Sequence, residues 1–185
     1  MEVNQLLEVL HQAAKLKDTT RHSWTEKNRQ ESVAEHSWRM AIFAWFLKDD
    51  FKDLDINKVI LMCLFHDIGE SFTGDIPTFN KQKKDEEVEE AYIQRWINQL
   101  DEPFKTELTL LFDEMEKQQT EEAKLYKAID KLEVIDQHNL ADLSTWIELE
   151  YTLNLVHGEK QVAHSKKLQE IKAAINQQTR DKIGK

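Results

Sequence analysis

Residues that make tight turns are scarce in this chain. Four glycines and two prolines occur among 185 residues, whereas a β-rich fold relies on such residues at its many turns. Apolar residues recur instead at helical spacing, as in the segment 3–16. We find no strand pattern, no repeat and no linker between domains. The sequence therefore predicts an all-α fold, with one domain over 1–185 built as a compact bundle of about seven or eight helices around a buried site.

Capping residues and helix breakers predict where these helices begin and end. Ser32 and Glu35 have the spacing of a capping box, and Asp55 and Thr120 are suitable N-caps. Helices are predicted at 3–16, 33–48, 56–68, 83–100, 103–117, 121–139, 143–156 and 161–178. Residues 17–31 and 71–81 are predicted as loops, the core as about 5–155, and the last residues, 177–185, as a frayed tail.

Composition limits the partners and the compartment. The formal net charge is −10, with 25 basic against 35 acidic residues, so a nucleic-acid polymer is not an expected partner. Cys63 is the single cysteine, which fits a reducing compartment. No secretory leader and no apolar run of about 20 residues is found, so no membrane association is expected. These features predict a cytoplasmic protein.

Four ionisable side chains fall on apolar helix faces. His36 shares its face with Met40, while His66 and Asp67 end a strongly apolar helix and Asp130 lies on the inner face of another. An ionised carboxylate is costly to bury without a partner. Two imidazoles and two carboxylates form a mixed nitrogen and oxygen set that suits a divalent ion such as Mn²⁺, Fe²⁺, Co²⁺ or Zn²⁺.

Each of these residues also has an ordinary interpretation. A single histidine on an apolar face is usually a hydrogen-bonded core residue, and Asp130 could pair with Lys127 or Lys131. The metal hypothesis depends on the four residues taken together. His36 and the His66–Asp67 pair lie on successive predicted helices, and all of these side chains face inward.

Three segments resemble a known family. The order of His36, His66–Asp67 and Asp130 is similar to the ligand signature of the all-helical HD-domain metallophosphohydrolases. The segments "ESVAEHSWRMA", "FHDIGESFTGDIPT" and "KAIDKLEVI" resemble those of the YfbR-type 5'-deoxynucleotidases and their eukaryotic HD-domain relatives. The resemblance covers about residues 5–155 and is most specific at 73–78. It implies a single HD domain that holds one divalent ion (Mn, Co, Fe, Mg or Zn) through these four residues.

The resemblance also implies roles for residues around the metal. Glu70 would act on the attacking water or the leaving group, with Asp75 beside that water. Arg21 would bind the phosphate, which suits its planar set of donors. The alternatives are a solvent-exposed acid at Glu70, a turn carboxylate at Asp75 and a surface arginine at Arg21.

The chain departs from the family next to Arg21. Bacterial members have a tryptophan near the sugar, whereas this chain has His22, and the nearest tryptophan is Trp24. Both are predicted substrate-binding residues, and the change leaves selectivity between deoxyribose and ribose open. His138, His157 and His164 are expected at the surface.

The implied activity is that of a phosphomonoesterase acting on (deoxy)nucleoside 5'-monophosphates. Hydrolysis of a triphosphate or cyclic nucleotide is one alternative, and a non-catalytic nucleotide-binding domain is another. The resemblance further implies a homodimer. Trp38, Trp45 and Trp96 are expected in the core or at the dimer surface.

Overall fold

The computed structural model describes residues 1–77 and 79–184. Within these residues the fold is helical with one small hairpin, which confirms the all-α class. The elements are α1 (Val3–Ala14), β1 (Thr20–Trp24), β2 (Gln30–Ser32), α2 (Val33–Phe46), α3 (Ile56–Phe65), α4 (Glu70–Thr73), α5 (Lys83–Ile97), α6 (Phe104–Lys117), α7 (Glu121–Leu140), α8 (Glu150–Val156), α9 (Glu159–Val162) and α10 (Lys166–Ile183), with 3₁₀ turns at Lys15–Lys17 and Leu143–Thr145.

The predicted helix starts are confirmed by their caps. The Ser32 side chain accepts from the Glu35 amide while the Glu35 carboxylate accepts from the Ser32 amide, which completes the capping box. Asp55 accepts from the amide of Lys58 at 3.1 Å, and Thr120 accepts from that of Ala123 at 3.2 Å. Local side-chain chemistry therefore sets where α2, α3 and α7 begin.

The prediction of a loop over 17–31 is wrong, because β1 and β2 pair there as an antiparallel hairpin. Thr20 pairs with Ser32 and Trp24 with Gln30, with an irregularity between them. Asn28 adopts a positive φ of 54° in the turn, a conformation that asparagine tolerates well. The segment is too polar to show strand alternation, so its pairing depends on the helices that it packs against.

Other predicted boundaries also shift. The helix from Ile56 ends at Phe65, three residues early, and a further single turn, α4, follows in the predicted loop. The predicted helix 143–156 is a 3₁₀ turn followed by α8. The prediction of a frayed tail over 177–185 is wrong, because α10 continues to Ile183 and Thr179 on it is completely buried.

The core lies between α2, α3 and the 20-residue helix α7. Its fully buried side chains include Met40 from α2, Met62 from α3 and Leu132 from α7. Burying one such side chain stabilises the fold by about 1.5–3 kcal/mol. His36 lies on α2 and Asp130 on α7, while His66 and Asp67 directly follow α3, so the buried core positions the site. Within the described residues, no helix is both long and apolar enough to cross a membrane.

Candidate metal centre and adjoining cavity

Three of the four predicted ligands come together where α2 meets the end of α3. His36, His66 and Asp67 each offer a ligand atom, and these atoms all lie within 4.8 Å of one another. Asp130 approaches from α7, with its Oδ1 3.5 Å from His36 Nε2. Residues separated by up to 94 positions along the chain thus converge on one point in the core.

His36 is fully buried and held in one orientation. Its Nδ1 donates to Oε2 of Glu133 at 2.5 Å, and Glu133 is in turn contacted by Arg39 at 2.9 Å. Burial and Arg21 lower the pKa of His36, but the carboxylates of Glu133 and Asp130 outweigh them and raise it to about 9. His36 Nε2 has no hydrogen-bond partner among the described residues, so a bound cation can replace the proton on this nitrogen.

His66 follows the last residue of α3 and is oriented in a comparable way. Its Nδ1 donates to the carbonyl of Cys63 at 2.9 Å. Its Nε2 lies 3.0 Å from Oδ2 of Asp67 without a hydrogen bond to any described residue. Two buried imidazoles, each with one nitrogen occupied and one free, beside a carboxylate, fit a divalent cation.

Asp130 contacts two lysines and also faces a predicted metal ligand. Its Oδ2 lies 3.0 Å from the Nζ of Lys127 and also 3.0 Å from that of Lys131, while Oδ1 faces His36. Burial alone would raise the pKa of Asp130, but Lys127, Lys131 and His36 hold it well below its usual range. The residue is therefore ionised, and one oxygen is directed to the histidine.

The structure places Arg21 and two further carboxylates beside this cluster. Arg21 Nη1 is 3.1 Å from Asp67 Oδ2 and 3.8 Å from Asp75 Oδ1. Glu70 is the first residue of α4 and only 5 % exposed, so it is not a surface acid. Burial and the carboxylates of Asp67 and Asp75 raise the pKa of Glu70, which favours its protonated form.

A cavity of about 80 Å³ opens next to the cluster. Arg21, His22 and Asp75 line one side of it. His22 contacts the ring of Phe79 edge to face at a centroid distance of 5.5 Å. Trp24 is not among the described residues that line the cavity, and its carbonyl instead accepts from Gln137. The structure thus brings His22 to the site and leaves Trp24 outside it. Thr78, in the most specific segment of the resemblance, lies outside the described residues.

A second, wider opening of about 750 Å³ reaches the same cluster from the side of α5 and α6. Its lining includes His66 and Asp67 and the lysines Lys81, Lys83 and Lys127. Most of its other charged lining residues are acidic: Glu86, Glu87, Glu89, Glu90, Asp113 and Glu116. An anionic substrate is repelled by such a wall, whereas a small cation is attracted to it.

Two buried glutamates of the site were missed by the sequence interpretation. Glu133 and Glu31 are each 1 % exposed, and together with His36 they form a second close cluster. Glu31 Oε2 is 3.6 Å from Nε of Arg21. Helical spacing could have found Glu133, because it follows Asp130 by one turn; Glu31 lies in the hairpin and gave no periodic signal. His138, expected at the surface, is 8 % exposed.

Comparison with known proteins identifies relatives over most of the chain. A family model described as HD domain matches residues 13–172. The human protein 5'-deoxynucleotidase HDDC2 is 37 % identical over 136 residues, which are 71 % of this chain and 66 % of that protein. The Dictyostelium discoideum protein of that name is 34 % identical over 145 residues, 73 % of this chain and 76 % of its own length. The chain spans about two thirds of the length of the human relative.

Solved structures show the same fold. The crystal structure of a "predicted metal-dependent phosphohydrolase" from Magnetospirillum magnetotacticum superimposes with a TM-score of 0.80 at 25 % identity, covering 97 % of this chain and 96 % of that one. A conserved hypothetical protein from Pyrococcus furiosus gives a TM-score of 0.72 at 28 % identity, with 92 % and 99 % covered.

Proposed function

The chain belongs to the HD-domain family, and we propose that it is a metal-dependent phosphomonoesterase that hydrolyses (deoxy)nucleoside 5'-monophosphates to nucleoside and phosphate. The main support is one juxtaposition: His36, His66 and Asp67 lie within 4.8 Å of one another beside a cavity lined by Arg21. Relatives named as 5'-deoxynucleotidases at 34–37 % identity support the substrate class.

In this proposal His36, His66, Asp67 and Asp130 would hold one divalent ion, with Mn, Co, Fe, Mg and Zn as the possible identities. The free Nε2 atoms of both histidines and the mixed nitrogen and oxygen donors fit such an ion. When bound, it supplies Lewis acidity that polarises phosphoryl oxygens and makes water a better nucleophile.

The chain's own residues then bind phosphate and move protons. Arg21 is partly buried among three carboxylates, which fix its guanidinium in place, and its donors match phosphoryl oxygens in pairs. Glu70 holds a proton at its carboxylate and exchanges it with the water or the leaving oxygen. Asp75 lines the cavity beside Arg21 and orients the attacking water.

Phosphate release from a panel of nucleotides tests the activity directly. The purified chain is incubated with Mn²⁺ or Co²⁺ and with 5'-monophosphates, triphosphates or cyclic nucleotides. Release of phosphate from the monophosphates is expected. Tight nucleotide binding without turnover on any member of the panel would instead identify a non-catalytic nucleotide-binding domain.

We also propose that the protein is a homodimer formed through the outer face of α2. Trp38, Ile42, Trp45 and Phe46 recur at helical spacing and are 61 %, 44 %, 47 % and 77 % exposed. A contiguous apolar stripe of this kind marks an interaction surface. Trp96, in contrast, is buried in the core. Light scattering should give twice the chain mass, and Phe46→Asp with Trp45→Glu should give the monomer; a monomeric wild type would contradict the proposal.

Two broader features of the sequence remain proposals. We propose that residues 1–185 act as one HD domain, since α10 packs on the central helix α7. We also propose a cytoplasmic location, because Cys63 is a buried free thiol and fits a reducing compartment. Limited proteolysis and fluorescence localisation test these two statements.

A further inference from the structure

The end of the cavity that faces away from the metal cluster is built from polar side chains of α7 and α8. His138, Glu150 and Asn154 line it, and they are 8 %, 3 % and 2 % exposed. No motif in the sequence indicates a binding role for any of them. Three buried polar residues in one small cavity require partners, so their hydrogen bonds show what the cavity can bind.

Asn154 is fixed from two sides. Its side-chain Oδ1 accepts from Nδ1 of His138 at 3.1 Å, and its backbone carbonyl accepts from Nζ of Lys172 at 3.1 Å. His138 Nε2 lies 3.2 Å from the hydroxyl of Ser23, which holds the ring in place. The amide nitrogen Nδ2 of Asn154, however, has no hydrogen-bond partner in the described part of the chain. A buried donor held in this way is ready for an acceptor supplied from outside the protein.

Glu150 gives this end of the cavity a negative charge. Its Oε2 accepts from the amide of Ile147 at 2.8 Å, and its Oε1 lies 3.1 Å from Nε2 of His22 and 3.4 Å from Nε2 of His138. The opposite end has the cations Arg21 and Lys131, with Asp75 and the proposed metal ligand Asp130 beside them. A phosphate therefore fits the end with the cations, and the neutral part of the substrate fits the end with Glu150 and Asn154.

We propose that Asn154 is a specificity residue whose Nδ2 donates a hydrogen bond to an acceptor on the nucleoside part of the substrate, either a base carbonyl or ring nitrogen or a sugar oxygen. His138 and Lys172 position it. This inference rests on the proposed nucleotidase function and adds to it, because it names the residue that distinguishes a nucleotide from other phosphomonoesters.

Two variants of Asn154 and four substrates test the proposal. Asn154→Asp keeps the shape and an oxygen for His138 but replaces the donor with an acceptor, and Asn154→Leu removes the amide. Thr152→Ala is the matched control, since Thr152 is on the same helix and exposed. The substrates are dAMP, dUMP, 2-deoxyribose 5-phosphate and p-nitrophenyl phosphate, and thermal unfolding and circular dichroism report whether each variant is folded.

For both Asn154 variants, kcat/KM on the nucleotides should fall on the order of 10-fold or more, the value of one hydrogen bond, while kcat/KM on p-nitrophenyl phosphate stays unchanged. An equal fall on 2-deoxyribose 5-phosphate places the acceptor on the sugar; a fall confined to dAMP and dUMP places it on the base. Unchanged nucleotide hydrolysis in a folded variant, or an equal fall on p-nitrophenyl phosphate, overturns the inference alone. A wild type that hydrolyses p-nitrophenyl phosphate but no nucleotide overturns the proposed function together with it.

Discussion

The two sides of the candidate metal centre are constructed differently. On one side, α2 and α7 are joined by side-chain contacts spaced one helical turn apart, which we call the ladder. In it, His36 contacts Asp130 and Glu133, and Arg39 contacts Glu133. On the other side, the irregular segment 66–75 after α3 carries Asp67, Glu70 and Asp75. There Arg21, contributed by the hairpin, contacts both Asp67 and Asp75.

This difference suggests that the side formed by α2 and α7 holds the ion, while the segment after α3 performs the chemistry. His36, Asp130 and Glu133 of this ladder are buried, and two long helices fix its geometry, which suits residues that must keep a constant distance. The stretch 66–75 has short elements and partly exposed side chains, which suits residues that contact water and substrate. The variants below probe each side, beginning with the largest expected effect.

Asp67 belongs to both sides, and removing it should have the largest effect. Asp67→Ala deletes a proposed ligand and the main partner of Arg21, so metal content should fall from about one ion per chain to none and activity should be lost. Elemental analysis and phosphate release measure the two quantities. Asp49→Ala, at an exposed position, should leave both unchanged. A wild type without metal whose activity survives a chelator would contradict the metal centre.

A variant of Glu70 tests whether the segment 66–75 transfers protons or holds the ion. Glu70→Ala should keep the metal and lose activity by on the order of 10²-fold or more, the usual contribution of a general acid or base. The same two assays apply, with the exposed Glu107→Gln as control. If the variant loses its metal, Glu70 is a ligand, and the division between the two sides is wrong.

Glu133 tests the ladder. Glu133→Gln weakens the bond that fixes Nδ1 of His36, and loss of such a supporting carboxylate lowers metal affinity by roughly 10–100-fold. Titration of the metal-free chain with Mn²⁺ measures this affinity. Asp136→Asn is the matched control. Asp136 lies on the same helix as Glu133 and contacts Arg39, but it does not contact His36. Equal affinity in wild type and Glu133→Gln would show that the ladder only supports the fold.

How far the sequence predicts the structure also differs between the two sides. His36 and Asp130 could be recognised because they interrupt apolar helical faces, and the caps at Ser32, Asp55 and Thr120 predicted the helix starts. The partners of Arg21 could not be read in the same way. They depend on a hairpin whose polar residues show no alternation and on the early end of α3, both of which are set by packing between distant segments.

The sugar preference should show the smallest effect. His22 lines the cavity and can donate or accept a hydrogen bond, so a 2'-hydroxyl should be tolerated better than beside a tryptophan. We expect deoxynucleotides to be preferred by a narrow margin when dAMP is compared with AMP and dUMP with UMP. Because Trp24 lies outside the cavity, Trp24→Ala should leave these ratios unchanged. Complete rejection of ribonucleotides by the wild type would contradict the role of His22.

The C-terminal helix has a practical consequence for anyone who shortens this protein. The family match ends at residue 172, and a clone trimmed at that boundary would look complete by sequence. It would nevertheless delete Asn176, which donates to the carbonyl of Leu155 at 2.8 Å, and Thr179, which donates to Asn139 at 3.0 Å. The trimmed protein would retain every proposed metal ligand and Lys172, but it would lose one of the contacts that hold the helix carrying Asn154, so a useful boundary for expression lies after Ile183.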